Sequence, residues 1–280
     1  MQEHEKDFKN SDNLKLFYYE WLPDNAIRGV VFVVHGIGEY SGRYRHVAEA
    51  FTSAGLATYA IDHRGHGKSD GDRIFFTDLQ QFVDDLRQLF DMVKAQYPDK
   101  PLLMYGHSMG SLISLAFALQ YQAELGGLVL TGTAITGDLD QPAILKGIVM
   151  LVSRIAPKLR LSPVLPPQVL STDPFEVTKY ANDPLVYHGM WPTATSAALF
   201  KGTQSLRENV HQLTLPMLVM HGADDELTPS SGATYLDEHV QSTDKTVKIL
   251  PGMRHELVNE VKRDEIIQEI SDWLVAHLSN

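Results

Sequence analysis

The chain has 280 residues, 44% of them hydrophobic and 21% charged, which suffices for one large α/β domain with an insertion and argues against two independent domains. A formal net charge of -11 repels phosphate backbones and anionic lipid head groups, so nucleic acid is not expected as a partner. With no cysteine there is no disulfide framework, no thiolate zinc site and no cysteine nucleophile.

The opening Met1-Gln2-Glu3-His4-Glu5-Lys6-Asp7 is charged and has no apolar core, and no later stretch approaches the length of a membrane span. A cytoplasmic, water-soluble protein is expected. Residues 14–21 and 29–34 are β-branched or aromatic runs, the second almost wholly apolar, as a strand covered on both faces should be. Helical spacing over 45–54 leads to a strand at 56–61, a long amphipathic helix at 78–97 and another apolar strand at 101–105. A helix from 109 to about 120 and a short strand at 128–130 follow. This alternation implies parallel βαβ units with right-handed crossovers.

From about 136 to 207 the alternation stops. An apolar, basic segment at 143–161 gives way to the proline-rich 162–167 and then to short helical pieces. The core pattern resumes with a strand at 215–221, a helix at 230–239, a strand at 246–250 and a final amphipathic helix at 262–278. The expected organisation is a core formed by 1–135 and 208–280, with 136–207 inserted as a cap. There is no internal repeat.

The pentapeptide Gly106-His107-Ser108-Met109-Gly110, between an apolar strand and a helix, has the form of a nucleophile elbow. Glycine is needed two residues before and two after the serine, because side chains there would collide as the helix folds back across the strand. Serine is a poor nucleophile at neutral pH and needs a base, which in turn needs a third group to orient it. His255, just after the last strand, and Asp225, just after the preceding one, sit on loops at the carboxyl edge of the sheet, where ligand and catalytic groups gather. The chain order Ser108, Asp225, His255 is the order known for this elbow. Plainer roles exist for each: a surface loop histidine for His255, and for Asp224 or Asp225 a cap on the following turn. Loop spacing favours Asp225 as the orienting acid.

Attack on a carbonyl creates an oxyanion, and the expected N–H donors are the amides of Met109 and of Ile37 in the loop His35-Gly36-Ile37-Gly38. An ordinary glycine turn would explain Gly36 and Gly38 but not their coincidence with the elbow. His63 and His66 are read as part of a tight structural loop rather than a metal site, since the surrounding glycines imply a loop and no carboxylate-rich run lies near. His239 and His277 fall on helices and are expected to be solvated. No metal or cofactor is called for.

Taken together, several motifs resemble the monoacylglycerol lipase group of serine hydrolases, within the α/β-hydrolase superfamily. They are His35-Gly36-Ile37-Gly38-Glu39 with Ser41-Gly42-Arg43-Tyr44, Asp62-His63-Arg64-Gly65-His66-Gly67-Lys68-Ser69, the elbow, Asn182-Asp183-Pro184-Leu185, and the loops of Asp225 and His255. The resemblance covers nearly the whole chain, and Ser111 departs from the glycine most common after the elbow. It implies the α/β-hydrolase fold, Ser108, Asp225 and His255 as triad, Ile37 and Met109 as oxyanion donors, and Arg43, His107 and Tyr180 near the glycerol end of a substrate. It also implies a cap forming an acyl-chain tunnel, to which Leu145 and Ile148 would belong. The cap segment carries apolar residues on too wide an arc for one buried face together with Lys146, Arg154, Lys158 and Arg160, a pattern suited to transient contact with a membrane or micelle, to packing on the core, or to a dimer contact.

The expected activity is hydrolysis of monoacylglycerol to glycerol and fatty acid through an acyl-enzyme. Alternatives are a lysophospholipase, a broad-specificity carboxylesterase, and, outside catalysis, a small-molecule receptor on the same fold. An aminopeptidase is disfavoured because no acidic pocket for a free amine is evident in the sequence.

Overall fold

The computed structural model describes residues 1–135, 143–161 and 164–278, and the side chains of all of these except 143–146. Eight strands form one sheet: β1 (Gln2–Lys9), β2 (Lys15–Leu22), β3 (Gly29–Val34), β4 (Leu56–Ile61), β5 (Leu102–His107), β6 (Gly127–Thr131), β7 (Met217–Gly222) and β8 (Lys245–Leu250). Their order is β1-β2-β4-β3-β5-β6-β7-β8, with antiparallel pairing of β2 to β1 and β4, and parallel pairing elsewhere. The central strands are apolar throughout because both of their faces are covered. Val30, Phe32 and Val34 of β3 enter one core layer with Leu102 and Met104 of β5, while Val31, Val33, Leu103 and Tyr105 enter the other. That division follows the two-residue period of a strand.

Helices fill both layers. In chain order they are α1 (Arg45–Ser53), α2 (Gln80–Gln96), α3 (Met109–Tyr121), α4 (Ala143–Ile155), α5 (Pro174–Asn182), α6 (Thr193–Asn209), α7 (Ser231–His239) and α8 (Arg263–Ala276). α1 and α8 cover one face, through Val47, Phe51, Ile266 and Ile270; α2, α3 and α7 cover the other, through Phe82, Phe90, Ile113 and Leu236. Between β6 and β7 lie α4, α5 and α6, in the stretch where the sequence pattern breaks. α6 is a continuous helix of 17 residues rather than the short pieces expected, and its Ala198 and Leu206 pack into the sheet's core. Its alanines, threonines and lone glycine give a weak helical pattern in the sequence.

After β3 the chain steps to one side to form β4, then crosses back to place β5 on the other side of β3. Reversal of direction opens a crevice outside the carboxyl ends of β3 and β5, the usual ligand position in open α/β sheets. The His35–Gly38 loop and Ser108 both emerge there. This is the arrangement of the α/β-hydrolase fold.

One strand lies outside the sequence expectations, and one expectation needs correction. β1 is a strand although its sequence, QEHEKDFK, has no apolar alternation. It is held as an edge hairpin on β2: the Asn10 side chain accepts from the amides of Asp12 and Leu14 at 3.0 and 2.9 Å, and Lys6 reaches Glu20 at 2.6 Å. His277, expected in solvent, is buried against Trp273 and lies 3.0 Å from Asp244 through Nε2.

The Asp62–Ser69 loop does brace the sheet. Asp62 accepts from the amides of Ser41 and Lys68, both at 2.8 Å, and the Arg64 guanidinium grips Asp85 through two bonds of 2.7 and 2.8 Å. His35, His63 and His66 gather behind it, with ring centroids 4.2 Å apart for His35 and His63. The His63 amide donates to His35 Nε2 at 3.0 Å, while neither ring nitrogen of His63 finds a partner among the described residues. Burial keeps all three imidazoles neutral, pushing His66 down to about 4 and His35 and His63 well below their ordinary value.

Protons therefore bind the unfolded chain first as pH falls. Stability is complete above the unfolded value of about 6.5 and is lost as pH drops toward 4, at a cost of about 3 kcal/mol for His66 alone. The urea midpoint should fall markedly between pH 7.5 and 4.5. A midpoint unchanged over that range would contradict the neutral cluster.

Candidate active site

Ser108 occupies the turn between β5 and α3 with φ 54° and ψ −121°, a conformation costly for a residue with a side chain. Sequence around it is fitted to that turn. A Cβ on Gly110 would stand 2.0 Å from the Val34 carbonyl oxygen, and one on Gly106 would stand 2.5 Å from Ser114 Oγ. The Ser108 amide donates to the Thr131 carbonyl at 3.1 Å. Ser111, the residue unusual for such an elbow, donates from its hydroxyl to the Ser108 carbonyl at 2.6 Å and accepts from the Ala134 amide at 3.2 Å, tying the turn to the strand-end beyond β6.

The Ser108 hydroxyl makes no hydrogen bond among the described residues and lines a pocket with His255. His255 Nδ1 donates to Asp225 Oδ2 at 2.7 Å, so the proton sits on Nδ1 and Nε2 remains an acceptor. Asp225 is held from several sides. Its Oδ1 accepts from the amides of Leu227 and Thr228, both at 2.9 Å, and its Oδ2 accepts from the Thr228 hydroxyl at 2.9 Å. His221 Nε2, 2.7 Å from the Thr228 carbonyl and 3.1 Å from Oδ2, shares its N–H between them. Burial by itself would raise the Asp225 carboxyl, but the bonds from His221 and His255 override it and hold the group far below the carboxylate range. Asp224 is exposed.

The Met109 amide begins α3 and the Ile37 amide belongs to the loop after β3; neither donates to a protein acceptor among the described residues. Two free N–H groups beside a serine suit a developing oxyanion.

Arg43, buried, lies at the centre of an ionic cluster. Its Nη1 bonds Glu39 Oε2 and Glu256 Oε1, and its Nη2 bonds Glu256 Oε2, all at 2.7 Å, while the Tyr180 ring covers the guanidinium at 4.8 Å. Glu39 also accepts from the Gly36 amide at 2.6 Å and the Tyr44 hydroxyl at 2.7 Å. Burial works against the Glu256 carboxylate, yet Arg43 brings its carboxyl down to about 2. His107 bonds Thr131 Oγ1 at 3.1 Å and lies 4.8 Å from the His255 ring; burial, then the neighbouring imidazole, lowers it to about 3 and leaves it neutral.

The pocket thus has a polar wall of Glu39, His107, Tyr180 and Glu256 and an apolar wall of Ile37, Leu165, Leu170 and Leu227. Arg43, His107 and Tyr180 all come to this cluster. Ile148 does not line the pocket; it is 51% exposed on α4. Leu145's side chain lies outside the described residues. Sequence reasoning assigned no role to Glu39, His221, Thr228 or Glu256. Glu256 is buried against Arg43, from across the fold, and Asn259, which no local pattern in the sequence marks. Among the described residues no His, Asp and Glu group is arranged to hold a metal ion.

A family model described as serine aminopeptidase, S33, matches residues 25–262. Monoacylglycerol lipase of Mycolicibacterium smegmatis is 37% identical over 98% of this chain and 98% of its own length. Monoglyceride lipase of Rattus norvegicus is 33% identical over 95% of this chain and 88% of its own length. Among solved structures, the monoacylglycerol lipase of Paleococcus ferrophilus aligns with a TM-score of 0.85 at 29% identity, covering 94% of this chain and 99% of that one.

Proposed function

The chain belongs to the serine aminopeptidase, S33, family of hydrolases, and from that premise we propose that it cleaves monoacylglycerols to glycerol and free fatty acid through an acyl-enzyme. Ser108 attacks the ester carbonyl, His255 Nε2 takes its proton, and the amides of Ile37 and Met109 receive the oxyanion. His255 then protonates the leaving glycerol, and water, activated by the same imidazole, releases the acid. What carries the reading is the Asp225–His255 bond, which leaves His255 Nε2 as a free base in the pocket that holds the Ser108 hydroxyl.

In this reading the glycerol lies against His107 and Tyr180, with Arg43 fixing the cluster behind them, and the acyl chain runs along Ile37, Leu165, Leu170 and Leu227. Residues 136–207 act as its cap, consistent with the contribution of Leu165, Leu170 and Tyr180 to the pocket wall. No helix of the described residues is long and apolar enough to cross a membrane. Ile148, Leu151 and Ile155 are 51, 58 and 76% exposed, however, and Arg154 is exposed beside them. Such a surface fits transient contact with a lipid interface. Two of the cap's cations serve other ends: Lys158 pairs with Asp72 at 2.6 Å, and Arg160 bonds the carbonyl oxygens of Met190 and Arg73.

A second reading, aminopeptidase activity, draws on the family description and on Glu39 and Glu256, an acidic wall that the sequence had not disclosed. Arg43 already neutralises part of it, which favours the ester. One assay series separates them: monooleoylglycerol in vesicles, trioleoylglycerol, p-nitrophenyl butyrate in solution, and aminoacyl p-nitroanilides. Monooleoylglycerol should be turned over at least about tenfold faster than trioleoylglycerol, and a Leu151→Asp, Ile155→Asp variant should slow the vesicle substrate more than the soluble ester. Faster cleavage of an aminoacyl anilide would reverse the assignment.

A further inference from the structure

We infer that the carboxylate wall formed by Glu39 and Glu256 selects uncharged alcohol leaving groups and rejects anionic ones, so that a single-chain lipid carrying a phosphate monoester is a poor substrate even with the same acyl chain. This rests on the reading of Ser108 as nucleophile in this pocket. Among the described residues the pocket wall contains two carboxylates and neither lysine nor arginine. Behind it stands one guanidinium, already spent: the Arg43 bonds run to Glu39 and Glu256, and the Tyr180 ring covers its face. Asn259 also donates to Glu256, at 2.8 Å. His107 is neutral.

The cluster thus sets two carboxyl groups against one guanidinium; burial raises the Glu39 carboxyl and Arg43 opposes that rise, and the Asp225 carboxylate follows beside His255. Glycerol hydroxyls meet this wall favourably, because each brings a donor to carboxylate lone pairs that remain open. A phosphate brings one to two negative charges and no donor of consequence. It would lose water without finding a cation in the described wall, and repulsion between buried charges is less screened than in solvent. Selectivity of this kind comes from the repulsive element as much as from the attractive one.

The test compares 1-oleoylglycerol with 1-oleoylglycerol 3-phosphate. The wild-type kcat/KM ratio should be at least about 100 in favour of the neutral lipid, and Glu39→Gln should shrink it by about tenfold or more. Glutamine keeps an oxygen for the Gly36 amide and the Tyr44 hydroxyl while removing one charge. Its thermal midpoint is measured alongside. Should that variant fail to fold, the wild type decides through inhibition of p-nitrophenyl butyrate hydrolysis by the non-cleavable ether analogues of the two lipids: the glyceryl ether should compete and its 3-phosphate should not. The same competition stands if 1-oleoylglycerol proves not to be a substrate, in which case the proposed function fails and the charge selection survives. Hydrolysis of the phosphate lipid within tenfold of the neutral one, an unchanged ratio in a folded Glu39→Gln protein, or equal competition by the two ethers overturns the inference.

Discussion

Replacing Ser108 by alanine is expected to lower kcat on monooleoylglycerol by about a million-fold, the scale seen when the nucleophile of a serine triad is removed. The effect is chemical rather than structural. Alanine keeps the Cβ that already tolerates φ 54°, and among the described residues the Ser108 hydroxyl supports no hydrogen bond whose loss would loosen the turn. The elbow's bonds run through the backbone of residue 108: its amide to the Thr131 carbonyl at 3.1 Å, and its carbonyl from the Ser111 hydroxyl at 2.6 Å. Thermal unfolding of the variant should match the parent within a few degrees. A fluorophosphonate probe should add one label to the wild type, at Ser108, and none to the variant. Retention of even a tenth of the turnover would remove Ser108 from its assigned role, and an unlabelled but folded wild type would favour a receptor that shares the fold.

The sheet was legible because its strands are buried on both faces, so β3, β4, β5 and β7 appear as short apolar runs needing no knowledge of their neighbours. β1 was not, since it is stabilised by pairing with β2 and by charges facing solvent, and neither leaves a period in the sequence. The same distinction runs through the candidate site. Ser108 announces itself through local backbone sterics, with Gly106 and Gly110 as the trace of close approach by Ser114 and Val34. Asp225 and His255 follow from strand ends and chain order. Glu39, Arg43 and Glu256 are different: their meeting spans 213 positions between Arg43 and Glu256, and a buried triad of charges looks, in one dimension, like three ordinary surface residues. His221 similarly reads as a strand-end histidine until Asp225 folds back upon it.

Asp225→Asn should cost about 10⁴-fold in kcat with a nearly unchanged KM, a loss that follows from which oxygen is bonded to what. Oδ1 accepts from two backbone amides, so the asparagine oxygen is held there and its NH2 is turned toward the position of Oδ2. At that position sit His255 Nδ1 at 2.7 Å, the Thr228 hydroxyl and His221 Nε2, all of which donate to the carboxylate. Facing an NH2, His255 Nδ1 must become an acceptor. The ring proton then moves to Nε2 and points into the pocket, where a base is needed to take the Ser108 proton. Substrate contacts are untouched, so the defect falls on turnover. The nitrogen-15 shifts of the His255 ring give a direct reading: Nδ1–H in the wild type, Nε2–H in the variant. If the variant keeps the wild-type tautomer, or loses less than tenfold in kcat, the carboxylate is not what makes His255 a base, and Asp225 would be left as a brace for the turn at Leu227 and Thr228.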